Sequence, residues 1–405
     1  MSKEILFLAH RIPYPPDRGD KIRSWHLLRH MAGLARVHLA CFADDEADAA
    51  HLPALRAALG GRLGEAHVEI RRRSKALAGA RALAEGKPVS LTLFDSPRLR
   101  AFVAERLADP AVETVFAFSG QMAQFVPAGT RQRFVMDFGD VDSAKFTQYA
   151  DQGNGPMRWV NRREGEKLAA FEKTVAARAD LSLFVSEAEA ALFRARSGLG
   201  RIAALSNGID VDHFDPAAAF PRLSERPGRG PLLLFTGQMD YAPNVEAVRW
   251  FAGEVMPKLE NAHFVIAGRA PTAEIAALAG PRVTVTGAVA DMRSWLAAAD
   301  LVVAPLRLAR GIQNKVLEAM AMAKAVIASP PAFEGIDAVP GRDLIVADGP
   351  EATAYTIRSL VVAPERAAAI GAAARRQMDA HYRWEARLAP LGEMVFPAAA
   401  REAAA

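Results

Sequence analysis

Ala309-Arg310-Gly311-Ile312-Gln313-Asn314-Lys315-Val316-Leu317-Glu318-Ala319-Met320-Ala321-Met322-Ala323-Lys324-Ala325-Val326-Ile327-Ala328 decides how the rest of the chain reads. It runs as loop, helix, turn and buried strand. The spacing predicts a helix from near Gly311 to about Ala323. Val316, Leu317, Ala319, Met320 and Ala321 are apolar on nearly every side, so this helix is expected to be buried over most of its surface. Gly311, Lys315, Glu318 and Met322 recur on one face at helical spacing. A Lys or Glu among such neighbours needs a partner or a wet surface. The plainer reading pairs Lys315 with Glu318 in a surface salt bridge, but Lys before Glu is the weaker order and the flanks are apolar. The alternative is an anion site at a helix start. Backbone N–H groups near Gly311 would point at a phosphate, and the helix dipole would favour its charge. Arg310 and Lys315 add cationic donors. Glu318, when ionised, accepts hydrogen bonds, which suits the vicinal hydroxyls of a ribose. Diphosphate beside ribose is a nucleotide.

The stretch resembles the donor-site signature of retaining family-4 glycosyltransferases of the GT-B fold. Their usual pattern is a Glu, seven residues, a second Glu followed by Ala-Met-Ala, then a Gly and Pro-Val-Val. Glu318 with the Ala-Met-Ala after it matches the second Glu. Arg310 stands at the position of the first, and Ala323 and Ala325 replace the Gly and Pro. Within that family the form is similar to sugar transferases associated with PEP-CTERM exopolysaccharide loci. The resemblance implies an α/β chain of two doubly wound Rossmann-like domains facing a central cleft. It also implies transfer of a sugar from a nucleoside-diphosphate sugar to a glycan or lipid-linked acceptor, with retention, and with no metal or cofactor.

The totals are compatible with that size of enzyme. At 405 residues two or three domains are expected. The single Cys41 excludes a disulfide framework and a cysteine zinc cluster. It lies in the apolar run Val37–Phe42, reads as a buried thiol, and fits a cytoplasmic protein. No signal peptide is visible, because Met1-Ser2-Lys3-Glu4 leads straight into an apolar strand. The net charge of +4 is unevenly shared: residues 1–205 hold 30 Lys and Arg against 24 Asp and Glu, and the remainder 20 against 22. The basic N-terminal half could attract the anionic inner face of a membrane. Nucleic acid is not an expected partner, since no basic motif studded with aromatics appears.

Taken in order, Glu4–Ala9 is a buried strand. A proline-fixed loop, Pro13 to Lys21, follows and leads into a helix carrying Ile22, Trp25, Leu28 and Met31. Strand, Gly-containing loop and helix mark the ligand position of a doubly wound domain, so Gly19 and Asp20 are candidates for donor or acceptor contacts. The competing reading of Gly19 is a tight turn. Val37–Phe42 is a strand, Ala47–Leu59 a helix, and His67–Ile70 an edge strand. The basic run Arg71-Arg72-Arg73-Ser74-Lys75 opens the helix Ala76–Glu85. It is either plainly solvated or rests on a membrane surface. Val112–Phe118 and Arg133–Asp137 are further strands. The second ends in the acidic loop with Asp140 and Asp142, candidates for sugar hydroxyls; the competing reading is Asx-turn capping of the next helix. A metal at this Asp-Val-Asp is rejected, because carboxylates hold Mg²⁺ with substrate phosphates alongside, and the resembling fold meets the diphosphate with helix dipole and basic residues.

Pro156–Ala179 reads as a long charged helix, and residues 202–205 as the last strand of a domain 1–205. Residues 215–230, rich in Pro, Arg and Gly, form a linker. A second strand, Gly loop and helix begins at Leu232-Leu233-Leu234-Phe235-Thr236-Gly237-Gln238, giving a domain 206–384. Gly237 and Gln238 are expected near the donor phosphates. Arg269, at the end of the strand Ala262–Ala267, is a phosphate or nucleotide contact or else a plain surface Arg. Gly311, Ile312 and Asn314 complete the donor set with Lys315 and Glu318. A helix of about 385–398 is expected to pack back on the N-terminal domain.

Three functions remain open on these residues. The first is a glycosyltransferase in exopolysaccharide biosynthesis, with Arg310, Lys315 and Glu318 at the catalytic centre. The second is a sugar-nucleotide epimerase of the same fold, needing acid and base groups such as His10 or His26 beside Asp17 or Asp20. The third is a non-catalytic nucleotide-sugar-binding subunit, which the missing first Glu favours and the presence of Lys315 with Glu318 opposes.

Overall fold

The structure, a computed structural model, describes residues 3–72, 74–309 and 311–397. The chain divides into two compact units. One is the chain up to Ser206 together with the segment from Leu388 on; the other is Asn207–Arg387.

In the first unit the strands are β1 (Glu4–Ala9), β2 (Arg36–Ala43), β3 (Leu63–Ile70), β4 (Val112–Phe118), β5 (Arg133–Gly139), β6 (Leu181–Phe184) and β7 (Ile202–Ala204). They form a parallel sheet in the order β3-β2-β1-β4-β5-β6-β7. Residues such as Ile5-Leu6-Phe7-Leu8 are buried on both faces, which is why the strands read as continuous apolar runs. Ala9 pairs with Cys41 on one side and Phe118 on the other. The strand order therefore reverses between β1 and β4, and loops at their carboxyl ends are the ligand-binding position of such a sheet.

The helices used below are α1 (Gly19–Leu34), α2 (Lys75–Glu85), α3 (Asp142–Gln152) and α4 (Pro156–Arg178). The single helix expected over Ala47–Leu59 is two short ones, Glu46–Ala49 and Leu52–Ala58. Pro53 in the first turn of the second is favourable there but cannot donate to a continuing helix. α1 is tied to β5 by a buried ion pair: Arg23 donates from Nε to Asp137 Oδ2 at 3.0 Å, and its Nη2 lies 2.8 Å from the same oxygen.

The second unit repeats the plan with β8 (Leu232–Thr236), β9 (His263–Ala267), β10 (Val283–Gly287), β11 (Leu301–Ala304), β12 (Val326–Ala328) and β13 (Ile345–Val346), in the order β10-β9-β8-β11-β12-β13. Its reversal lies between β8 and β11. The helices that matter are α5 (Ala242–Trp250), α6 (Asn314–Ala321) and α7 (Pro364–His381). The chain then returns to the first unit, where α8 (Leu391–Val395) lies against the sheet. Thr114 Oγ1 donates to the Val395 carbonyl at 2.7 Å, and Arg133 Nε to the Met394 carbonyl at 2.7 Å.

Candidate donor site

The loop after β11 delivers the chain to α6. The expected start of this helix near Gly311 is corrected: Gly311 has φ 63°, the left-handed region, and the helix begins at Asn314 after Gln313 in an extended cap. Left-handed backbone cannot continue a right-handed helix. The Gln313 side chain makes no capping hydrogen bond. Val316 N–H and Leu317 N–H bond back to the Gln313 carbonyl. Among the described residues the N–H groups of Asn314 and Lys315 meet no acceptor. They are the unsatisfied donors that a helix start offers to an anion.

At the other end α6 stops at Ala321, two residues short of the expected Ala323. Ala323 takes φ 53°, with Lys324 N–H bonded to the Ala319 carbonyl and Ala323 N–H to the Met320 carbonyl, both at 3.0 Å. This is a Schellman closure with Ala where glycine is favoured.

Lys315 does not pair with Glu318. Its ammonium donates to Asn244 Oδ1 at 2.5 Å and lies 4.2 Å from the centroid of the Phe235 ring. Asn244, in the first turn of α5, donates in turn from Nδ2 to the Gln238 carbonyl at 2.8 Å. Gly237 is required here, because a Cβ would lie 2.7 Å from Asn244 Nδ2 and 3.0 Å from Lys315 Nζ. The neighbouring Gly268 is equally close, since its Cβ would meet the Gly237 carbonyl oxygen at 1.7 Å. The Gly loops after β8 and β9 thus pack against each other and bring Gly237 up to the ammonium.

Lys315 and Glu318 keep partial solvent exposure while their neighbours Val316, Leu317 and Ala319 are buried. Burial pushes the Lys315 ammonium down to about 7, against the pull of Glu318. Burial likewise pushes the Glu318 carboxyl up to about 7, against the pull of Lys315. Each group is costly as it stands, and a ligand that supplies the opposite charge or hydrogen-bond donors would relieve it.

The remaining donor candidates fall around this centre. Arg269 Nη2 donates to Gln238 Oε1 at 3.3 Å, and Gln238 Nε2 to Asp240 at 2.6 Å. Asn314 Oδ1 accepts from Asn207 Nδ2 at 3.2 Å. Ile312 is buried. Arg310 lies outside the described residues. Asn244 and Phe235 are site residues that the sequence reading does not single out: Phe235 lies in the quoted strand, and Asn244 six residues beyond Gln238. An Asn in the first turn after a Gly loop was the available signal.

In the first unit, Gly19 is the first residue of α1 and has no positive φ. Asp20 is not free for a sugar: it meets His10 Nε2 at 3.0 Å, Arg11 Nη1 at 2.5 Å and Arg18 Nε at 3.3 Å. Burial would raise its carboxyl, but His10, Arg11 and Arg18 hold it well below the usual range. A carboxylate so held is a poor proton acceptor, which weakens the His–Asp chemistry an epimerase would ask of it. Asp44 gathers Arg11 Nε at 3.1 Å, Arg18 Nη2 at 2.7 Å and Arg71 Nη2 at 2.8 Å.

Asp140 and Asp142 flank Val141, the N-cap residue of α3, whose own side chain makes no capping bond. Burial pushes the Asp140 carboxyl up to about 6; Lys145 opposes the shift, and Glu189 and Asp142 add to it.

Residues 230–362, which include this donor site, match the family model described as glycosyl transferases group 1. No curated protein matches the sequence. Several solved structures match the fold over nearly the whole chain. Sucrose-phosphate synthase from Thermosynechococcus elongatus aligns with a TM-score of 0.73 at 17% identity, covering 97% of this chain and 98% of that one. HepE of Anabaena, solved in complex with UDP-glucose, aligns at 0.66 with 14% identity, covering 97% and 99%. WaaG, a glycosyltransferase involved in lipopolysaccharide biosynthesis, aligns at 0.66 with 16% identity, covering 97% and 100%. A match of residues 230–362 to the glycosyl transferases group 1 model and the two parallel-sheet Rossmann-like domains of the GT-B fold together indicate a glycosyltransferase.

Proposed function

We propose that the second unit binds a nucleoside-diphosphate sugar at the start of α6, and that the enzyme transfers the sugar to a glycan or lipid-linked acceptor with retention, in exopolysaccharide assembly. The observation that carries the donor site is the meeting of three things: the unsatisfied Asn314 and Lys315 N–H groups, the Lys315 ammonium held by Asn244, and the Glu318 carboxylate one turn further on.

In this reading the diphosphate sits on the helix start and takes the charge of Lys315, with Gly237 allowing close backbone approach. Arg310 is assigned a second cation by sequence alone. As the bond between the anomeric carbon and the diphosphate breaks, negative charge grows on the leaving oxygen. Lys315 and the helix-start N–H groups stabilise that charge, and are already aimed before the reaction begins. Glu318 orients the ribose. Gln238 and Arg269 border the loop that approaches the phosphates. The complex of HepE with UDP-glucose makes UDP-sugars the first donors to try.

The test is turnover with UDP- and GDP-sugars, with and without a lipid-linked glycan acceptor. Transfer to the acceptor supports the proposal. A donor isomer formed without acceptor would make the protein an epimerase, and binding without turnover would make it a binding subunit. Lys315→Ala and Glu318→Ala should each cut donor use at least tenfold with an unchanged circular dichroism spectrum. Donor kinetics equal to wild type in both would remove these residues from the site.

A further inference from the structure

α2 turns its apolar side the wrong way for a water-facing helix. Ala78 and Ala82 face the protein and are buried. The opposite side is Ala76, Leu77, Ala80, Leu83 and Ala84, every one of them exposed. Leu77 is 72% exposed and Leu83 55%. A solvated helix would carry its charges on that side.

The exposed surface continues onto α4. Arg163 of α4 donates from Nη2 to the carbonyls of Ala82 at 2.8 Å and Lys87 at 3.1 Å, so this part of α4 lies against the carboxyl end of α2. Trp159 is one helical turn before Arg163 and so on the same side of α4. Trp159 is 60% exposed. Leucines and a tryptophan left open together are unusual on a soluble domain and mark a surface that is covered in use.

The rim of this surface is basic. Arg72, Arg81, Lys87, Arg158 and Arg162 are exposed around it, five cations against the four carboxylates Glu46, Glu85, Asp95 and Asp151 that pair with four of them. Apolar anchors, an interfacial tryptophan and a rim of Lys and Arg are what an anionic lipid surface rewards. A second copy of the chain is a poorer occupant, since a two-fold contact through this face would set one basic rim against the other. Among the described residues no helix is long and apolar enough to cross a membrane, so the contact is with a surface.

We propose that the α2 face, with Trp159 of α4, docks the first unit on an anionic bilayer, its apolar side chains entering the headgroup boundary. This extends the lipid-linked acceptor of the preceding section, and it is measured without donor, so either can fail alone.

The test uses the full chain with vesicles of phosphatidylcholine, or of phosphatidylcholine mixed with phosphatidylglycerol. Trp159 is the exposed one of the five tryptophans, so docking should shift its emission to the blue as well as sediment the protein. Wild type should bind the anionic vesicles, and less so as salt rises. Leu77→Gln combined with Leu83→Gln and Trp159→Gln should lower vesicle affinity by at least roughly tenfold, with an unchanged unfolding midpoint, because these side chains are already exposed. Arg158→Gln with Arg162→Gln should weaken binding and flatten its salt dependence. The proposal is overturned if wild type stays in solution with anionic vesicles, or if the triple variant binds them as wild type does. It is also overturned if the triple variant instead dissolves a dimer of the free protein while vesicle binding is absent, which would assign the face to self-association.

Discussion

The Lys315 ammonium donates to Asn244 Oδ1 at 2.5 Å, and so joins the helix that starts the candidate diphosphate site to the helix that follows the Gly237 loop. The same Asn244 holds the Gln238 carbonyl. One amide therefore sets both the cation and the loop that approaches it.

Asn244→Ala should weaken nucleoside-diphosphate binding without touching the ligand. A hydrogen bond to a charged group contributes about 1.5–3 kcal/mol, so the dissociation constant for UDP should rise roughly ten- to a hundredfold. Calorimetric titration checks this. An unchanged constant would mean that Lys315 needs no positioning.

Donor affinity should peak near neutral pH. In the free protein Lys315 is charged below about 7 and neutral above it, because burial depresses it. A bound diphosphate favours the ammonium, so binding above pH 7 takes up a proton and affinity falls as pH rises there. Glu318, raised by burial, is ionised only above about 7. It accepts from ribose hydroxyls only when ionised, so its contribution falls as pH drops below 7. UDP titrations across this range should show both limbs in wild type. Lys315→Arg should lose the alkaline limb, because guanidinium stays charged. Glu318→Gln should lose the acid limb relative to wild type, the titration of the diphosphate itself being common to both proteins.

The plan of the fold was legible from the chain. Buried runs such as Leu232–Thr236, each followed by a Gly loop and a helix, announce a doubly wound sheet, and they do so twice. The spacing of Lys315 and Glu318 placed them one turn apart on α6. What escaped was what distant segments impose. The left-handed Gly311 moved the helix start three residues along, and a single Gly in a polar loop does not announce its φ. Asn244 and Lys315 are 71 residues apart, and Arg23 and Asp137 are 114 apart. Neither contact has a local signature. Asp20 read as an open sugar ligand because three cationic or imidazole neighbours that surround it, His10, Arg11 and Arg18, come from the end of β1 and the cap of α1.

Arg23 and Asp137 carry stability in the first unit. Both side chains are nearly or wholly buried, and burial pushes the Asp137 carboxyl up against the pull of Arg23. Arg23→Ala strands that carboxylate and should cost about 3–5 kcal/mol. The check is a urea titration, in which the first unit's transition moves to lower denaturant.

Ala323→Gly should stabilise the second unit. Ala323 holds φ 53° at the end of α6, a conformation that costs an L-residue about 1–2 kcal/mol and glycine little. Some of that gain is returned through the greater freedom of glycine in the unfolded chain, leaving an expected net of about 0.5–1 kcal/mol, read as a rise in the unfolding midpoint.

The most direct measurement is a crystal structure of the protein with UDP bound. The account predicts the pyrophosphate against the N–H groups of Asn314 and Lys315, within hydrogen-bond reach of Lys315 Nζ, and the ribose hydroxyls on Glu318. A nucleotide bound elsewhere, with the start of α6 unoccupied and Glu318 contacting no sugar, would contradict it.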